Sequence, residues 1–566
     1  MGSVRVRLSI MMFLQYAVWG VWAVNLSVYL QGLESFRENA GFKIQMIFLT
    51  MAIANIAAPF VASQLADRYF ATERYLAFSH FVGGAFILWA WWLNSFEALF
   101  WVMLAHCLLY APTVALTNSL AFHHLPNGEK DFGAVRLWGT IGWIVVGVVF
   151  GFGWLLLPVY LPAVANALPH KPNVGDCLIV SGVLSFVMAA FCLTLPHTPP
   201  AKKVENPLAF LTAIKLARYP SFAVMLIVAF LVSTELQFYY VLTPNYFHDE
   251  PGPSLSQRQL QAASGADADQ AKLLMRMLDT NNNKKVSKAE LDEAPKRLAE
   301  LQAASEAMKG VSGAKTADDL KKLLEDAHPE LTRPADVTAA YVVTAVDDKG
   351  TKEITAEQLN KFYDEAKVLG PRVGNAKEDF DKNATEKGGL DLSEGYVGPV
   401  MTIGQFFEIL ILALLPLALA RLGFTWTIAI GIAAWAVRYA VFALGEPRWL
   451  VLASQGLHGF GFGFFFVGCM IYSDRIAPKD VRASAQGLIV FVSFGLGMLI
   501  SSLIAGPVAD YFELDWHRIF LAPVAILVVC TLLFLFGFRP APAATPTEGE
   551  VKQELPAAEA AIPPAE

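Results

Sequence analysis

The sequence predicts an all-α polytopic membrane protein with twelve transmembrane helices and a helical soluble insertion. Three observations carry this. Of 566 residues, 55% are hydrophobic and only 16% are charged. The apolar residues gather in runs about as long as a bilayer is thick, and one polar stretch interrupts them. Such a composition argues against a soluble enzyme.

A span needs about 20 apolar residues. Such runs occupy 9 to 31, 44 to 66, 75 to 94, 97 to 122, 134 to 157, 176 to 195, 221 to 244, 399 to 420, 425 to 444, 449 to 472, 484 to 508 and 517 to 538. The first follows Arg5 and Arg7 as a signal peptide would, but it is too long and lacks a small-residue cleavage site, so it is expected to be a retained span. Arg5, Arg7, Arg68, Arg74, Lys130, Lys202, Lys203, Lys215, Arg218, Arg421, Arg475, Lys479, Arg482 and Arg539 fall in loops on one side. The positive-inside bias then puts both termini in the cytoplasm of a cell with a bacterial-type inner membrane. Cys107, Cys177, Cys192, Cys469 and Cys530 lie in or at the ends of spans, which predicts buried thiols rather than disulfides.

Residues 248 to 396 break the pattern with Lys-, Asp-, Glu- and Ala-rich helical segments such as TADDLKKLLEDAH. An odd number of spans precedes them, so parity places this insertion outside the cytoplasm. Within it, DTNNNKKVSKAE at 279 to 290 fits a twelve-residue EF-hand loop, with Asp279, Asn281 and Asn283 at positions one, three and five and Glu290 closing it. Lys285 and Ser287 stand at positions seven and nine, and Val286 supplies the hydrophobic eighth position. Lys284 departs from the usual Gly. DKNATEKGGLDLSE at 381 to 394 resembles a longer loop, with Asp381, Asn383, Thr385, Asp391 and Glu394 as its oxygens. DDKGTKEITAEQ at 347 to 358 looks degenerate, with Lys349 and Gln358 at ligand positions. Ca2+ is the candidate ion, bound weakly, on the order of 10⁻⁴ to 10⁻³ M. The alternative is a charged helical cap. The tail from 540 to 566 lacks apolar periodicity and is expected to be disordered.

Two carboxylates stand inside apolar spans, Glu235 in MLIVAFLVSTELQFYYVL and Glu408 in VMTIGQFFEILILALLPLAL. A carboxylate at bilayer depth costs roughly 2.5 to 3.5 kcal/mol on insertion scales, so it belongs in a bundle interior or a polar cavity. Either residue is a candidate proton carrier or a hydrogen-bonding link between helices.

Several motifs occur in order on successive spans: FLQYAVWGVW (13 to 22), YAPTVALTNS (110 to 119), VRLWGTIGW (135 to 143), LTLPH (193 to 197), TELQ (234 to 237), QFFE (405 to 408) and RASAQG (482 to 487). With them, nearly the whole chain outside the insertion and tail resembles the nucleoside:H+ symporter family of the major facilitator superfamily. The resemblance implies two six-helix halves around a midplane site. The domain expectation is 1 to 200 for the N-terminal half, 201 to 247 for the linker and seventh span, 248 to 396 for the insertion and 397 to 539 for spans eight to twelve. QLADRYFATER at 64 to 74 and its echo LALARLGF at 417 to 424 match the superfamily's charged turns.

Carried over by motif, the resemblance implies substrate contacts from Arg136, Thr140 and Trp143 on span five, Gln237 on span seven, Gln405 and Glu408 on span eight, and Phe462 on span ten. The spacing agrees, since i, i+4, i+7 and i, i+3 each mark one helix face. Aromatic faces, amides and a carboxylate suit a nucleoside's flat base and vicinal hydroxyls. Two departures are His458 where the family has Tyr, and Gly463 where it has an acid. Tyr240 also replaces the family's Asn. Glu408, Glu235 and His458 are the proton-coupling candidates, His458 because imidazole titrates near neutrality. Arg438 in span nine is at best a structural ion-pair candidate.

The function implied is proton-coupled nucleoside import by a monomer that needs no cofactor for transport and has no nucleic-acid polymer as partner. The alternatives are a transporter of another small polar metabolite, or a Ca2+-responsive sensor on a transporter fold. No Walker loop, G-x-S-x-G or HExxH motif marks an enzyme.

Overall fold

The computed structural model describes residues 2–36, 39–61, 70–125, 128–161, 163–164, 170–200, 213–249, 254–280, 285–329, 333–347, 351–380, 388–478, 481–513 and 515–540. The chain opens with α1 (Gly2–Ala23), α2 (Leu26–Gly32), α3 (Ala40–Val61), α4 (Thr72–Ala90), α5 (Phe96–His124), α6 (Gly128–Val148) and α7 (Cys177–Cys192). Capping sets several of these starts. The Ser95 hydroxyl accepts the Ala98 N–H at 3.2 Å to begin α5. Asn173 and Asp176 form a capping box before α7.

Next come α8 (Pro220–Ser233) and α9 (Thr243–His248), then the insertion. It is built from β1 (Ser254–Ser256), α10 (Gln257–Ser264), α11 (Ala268–Leu278), β2 (Lys285–Ser287), α12 (Lys288–Ala307), α13 (Ala317–Ala327), α14 (Ala335–Val346) and α15 (Ala356–Glu378). The strands pair antiparallel with Leu255 opposite Val286, and Lys315 bridges Ile354 in the same sense. Directly after each of these four positions a capping box starts a helix: Ser256/Gln259, Ser287/Glu290, Thr316/Asp319 and Thr355/Gln358. The arrangement of capped helix, second helix, loop, bridge and capped helix therefore occurs twice. Leu274, Val286, Leu301, Val342, Ile354 and Leu359 belong to a buried core confined to these helices.

The remainder is α16 (Glu394–Leu444), α17 (Arg448–Ser454), α18 (Gly468–Ile476), α19 (Arg482–Val490), α20 (Met498–Tyr511) and α21 (Trp516–Gly537). Ten helical stretches among the described residues are long and apolar enough to cross a membrane. The predicted third span corresponds to α4, which lies outside those ten because Thr72, Glu73, Arg74, Ser79 and His80 dilute its apolar surface. The predicted eighth and ninth spans both fall within the 51 residues of α16, which is broken at Gly423 (φ 71°, ψ 174°). Glycine takes that conformation without a Cβ penalty, so the chain turns inside LALARLGF.

Buried residues of the two halves share one core, including Trp22, Phe48, Trp143, Phe222, Tyr239 and Trp435. The Gly41 and Phe42 N–H groups, at the start of α3, donate to the two Asp510 carboxylate oxygens at 2.8 Å each. The Val174 N–H donates to Glu394 at 3.2 Å, and the Tyr160 and Tyr396 hydroxyls are 3.4 Å apart. Gly147 packs against Thr402 and Gly151 against Pro399, which brings the fifth and eighth spans together toward the same end. These contacts join the halves at the end from which the insertion emerges. The insertion itself is anchored to α21, where Lys285 Nζ is 2.8 Å from Asp249 Oδ2 and the Trp516 indole N–H donates to the same oxygen at 2.6 Å.

Candidate functional site

The segment before the Gly423 break carries Gln405 and Glu408, both buried, one turn apart. Across the interface the Arg136 guanidinium lies over the Tyr16 ring, 3.9 Å from its centroid, and it interacts electrostatically with Glu408. Trp143, two turns along α6, meets Trp19 edge to face at 5.2 Å. Thr140 is half-buried between them in sequence. Close approach of α6 to α1 makes this stripe possible: a Cβ on Gly142 would lie 2.9 Å from the Phe13 carbonyl carbon. The chain thus brings one cation and one carboxylate from opposite halves into range of each other.

On the other wall, His458 stacks on Tyr239 at 4.5 Å and 15°, and the Phe462 ring is 6.4 Å away at 30°. The Tyr239 hydroxyl and His458 both press on Gly404, next to Gln405. The Gln405 amide lies beside the Tyr239 hydroxyl, and Gln405 Oε1 is buried without a hydrogen-bond partner among the described residues. Such groups are costly to leave unpaired and are available to a polar ligand. Gln237 is placed differently from the other amides: its Nε2 donates to Ser502 at 3.0 Å and its backbone N–H to Ser501 at 2.9 Å, so half of its side chain serves packing within the C-terminal half.

Glu235 is fully buried and accepts from the Tyr439 hydroxyl, with Oε1 unpartnered. Among the described residues, four π-helical turns interrupt the spans, at Val149–Leu156, Phe238–Leu242, Gly461–Val467 and Phe491–Gly497. One begins directly after Gln237 and one contains Phe462; such turns re-aim side chains and cluster at functional sites.

Arg438 corrects the ion-pair expectation. It has no carboxylate within ion-pair distance among the described residues, and Nη1 instead meets His458 Nδ1 at 3.2 Å. Its guanidinium is 4.2 Å from the Tyr239 centroid, 4.8 Å from Tyr439 and 5.7 Å from Trp435. Sequence reasoning also missed a polar network in the first half, where Gln15 donates to Thr113 at 2.8 Å and its Oε1 is 2.9 Å from His80 Nε2. The Tyr110 hydroxyl completes it by donating to the Gln15 carbonyl at 2.6 Å. An amide in the apolar motif FLQYAVWGVW was the available signal.

The candidate calcium loops are only partly described. Asn281, Asn283, Asp381, Asn383 and Thr385 lie outside the described residues. Asp279 is buried at the start of the first loop. Glu290 Oε1 accepts from the Thr280 N–H at 3.0 Å, and Oε2 accepts from Ser287 N–H at 2.9 Å, so its carboxylate already closes the loop through protein donors. The Lys285 side chain goes to Asp249 rather than into the loop. Asp391 donates its N–H to the Asp249 carbonyl at 2.8 Å, and Glu394 is drawn to Val174 of the first half. No group of three His, Cys, Asp or Glu suited to a metal ion occurs among the described residues.

A model of the nucleoside H+ symporter family matches residues 2–263 and 385–543. The chain belongs to this family. Membership makes it a transporter rather than an enzyme, and the unmatched residues between the two segments are most of the insertion. Xanthosine permease of Escherichia coli (strain K12) is 22% identical over 553 residues, covering 95% of this chain and 96% of the permease. Nucleoside permease NupG of the same organism is 21% identical, with the same coverage. A crystal structure of nucleoside transporter NupG superposes with a TM-score of 0.56 at 20% identity, covering 95% of this chain and 99% of that one. A D-xylose-proton symporter structure reaches a TM-score of 0.50 at 10% identity, covering 95% and 98%, so the helical transporter fold extends beyond the symporter family.

Proposed function

We propose that this nucleoside H+ symporter family member imports nucleosides together with protons by alternating access, through a site between its two halves. The observation that carries the reading is the placement of Glu408, buried one turn from Gln405 and electrostatically coupled to Arg136 of the opposite half. A carboxylate so placed can take a proton or accept ribose hydroxyls, and its charge is felt by both halves. Gln405 and Gln237 read the base edge, Trp143 and Phe462 flank its faces, and Arg136 and Thr140 complete the first-half wall. With Gly463 where the family has an acid, coupling falls to Glu408, Glu235 or His458.

In this reading twelve spans cross an inner membrane with both termini cytoplasmic and the insertion outside. In that orientation the contacts at Asp510, Glu394 and Tyr396 join the halves at the outer face. The loop at 279 to 290 takes Ca2+ weakly, since Glu290 must exchange the Thr280 and Ser287 donors for the ion. Calorimetry of the purified protein with millimolar Ca2+, against a variant lacking Asp279 and Glu290, tests that part.

The transport reading is tested by competition uptake in cells, with nucleosides, free bases and sugars as competitors, with and without a proton gradient. Competition by nucleosides alone, dependent on the gradient, supports it. Competition by sugars or free bases in their place refutes it.

A further inference from the structure

His458 is held on every side. Tyr239 stacks on it at 4.5 Å, Trp435 lies 6.0 Å away at 28°, Phe462 lies 6.4 Å away at 30°, and Gly404 of the eighth span leaves no room for a Cβ, which would sit 2.9 Å from His458 Cβ. Among the described residues, the polar contact to the ring comes from Arg438 Nη1, 3.2 Å from Nδ1. A guanidinium has donors and no acceptor, so the Arg438 N–H donates and the Nδ1 lone pair accepts. The imidazole proton is thereby assigned to Nε2.

Arg438 is fully buried, and besides His458 its guanidinium reaches the Tyr439 side chain. Its charge is met by aromatic faces, Tyr239 at 4.2 Å and Tyr439 at 4.8 Å, and at longer range by Glu235. A cation kept at such desolvation cost, beside a ring next to Gln405 and Phe462, has a more specific use than filling space.

We propose that Arg438 is a positioning residue that fixes His458 as its Nε2–H tautomer, making His458 a permanent hydrogen-bond donor for a nucleobase edge that presents an acceptor, a carbonyl oxygen or a ring nitrogen. This rests on the nucleoside reading above. It removes His458 from the proton-coupling candidates and leaves Glu408 and Glu235. The other titratable or charged groups packed around His458 are Glu235, Tyr239 and Tyr240 of the seventh span, Glu408 of the eighth, and Arg438 and Tyr439 of the ninth. Their titration is common to all the variants below except at Arg438 itself.

The test is the pH dependence of inosine binding, measured as Kd between pH 5.5 and 7.5 on purified protein. The set is wild type, His458→Gln, Arg438→Met, the double variant and Arg438→Lys. The Gln side chain can still accept from Arg438 and donate from its amide, so wild type and His458→Gln should have the same profile shape. Arg438→Met removes the donor to Nδ1 and lets the neutral ring take the Nδ1–H tautomer, in which Nε2 accepts instead of donating, whereas an imidazolium donates from both nitrogens. The Kd for inosine at pH 7.5 relative to that at pH 5.5 should therefore rise in Arg438→Met and return to the wild-type ratio in the double variant. Arg438→Lys keeps a donor and should keep the wild-type profile. An altered profile for His458→Gln alone, or the same profile for Arg438→Met and the double variant, would overturn the proposal. If Arg438→Met fails to fold, the comparisons of wild type with His458→Gln and Arg438→Lys still decide. Wild-type protein that binds no nucleoside at any pH counts against the transport reading and is distinguishable from either result.

Discussion

At the scale of single residues, Gln405→Ala should weaken nucleoside binding by about 1 to 3 kcal/mol, because a ligand group that met the buried amide would be left unpaired. Equilibrium binding on purified protein reads this out, and a wild-type Kd would remove Gln405 from the site. Glu408→Gln should abolish gradient-driven accumulation while binding persists, since the amide hydrogen-bonds but cannot carry the proton. Concentrative uptake by that variant at the wild-type level would transfer coupling to Glu235. Both residues were legible in the sequence because polar groups in apolar spans are expensive and their i, i+3 spacing fixes a shared face. The contact of Arg438 with His458 was not legible. The two are 20 positions apart on separate helices, and periodicity within one helix says nothing about its rotation against another. Gln237 was legible as a buried amide, but its bond to Ser502 depends on a neighbouring span that sequence spacing does not locate.

At the scale of elements, the start of α3 is capped across the interface by Asp510, an acceptor at a helix N-terminus. Asp510→Ala should cost about 0.5 to 2 kcal/mol of that closure and shift the open-to-closed balance by up to about thirtyfold. A cysteine placed at the buried Val397, in a background where the native thiols are buried, should then react faster with an impermeant thiol reagent added outside. An unchanged rate would mean that Asp510 does not hold the outer face. The insertion offers a second test. The side chains of Lys285 and Asp249 are almost completely buried, so Lys285→Met alone should destabilise the docked insertion by about 3 to 5 kcal/mol, and pairing it with Asp249→Leu should recover part of that loss. Hydrogen exchange over residues 254–287 measures both. The sequence marked Lys285 as the seventh residue of a cation loop, where only its backbone carbonyl would count. Its ion pair was hidden because Asp249 lies on the far side of a strand pairing that composition does not reveal. The twofold helix, loop and bridge arrangement escaped sequence reading for a related reason. Its second loop was read as a degenerate one at 347 to 358, but the pairing of Ile354 with Lys315 and the capped helix that follows each of them depend on contacts that spacing does not give.

For the whole molecule, the apolar runs and the motif order together carried most of the architecture, since each span is constrained by the bilayer and each motif sits on a separate span. The break at Gly423 was readable in LALARLGF because an arginine and, two residues on, a glycine interrupt an otherwise continuous apolar stretch. The way the halves meet was not readable: small residues such as Gly147 and Gly151 permit close approach, but the sequence does not say which end closes. The central claim is that nucleoside movement and proton movement are obligatorily linked through the interface between the halves. Purified protein in proteoliposomes, loaded with a pH-sensitive dye and held without an imposed gradient, tests it when uridine or inosine is added outside. The account predicts internal acidification that starts with nucleoside addition, saturates with its concentration and is absent in Glu408→Gln. Nucleoside entry at the wild-type rate with no change in internal pH would contradict it.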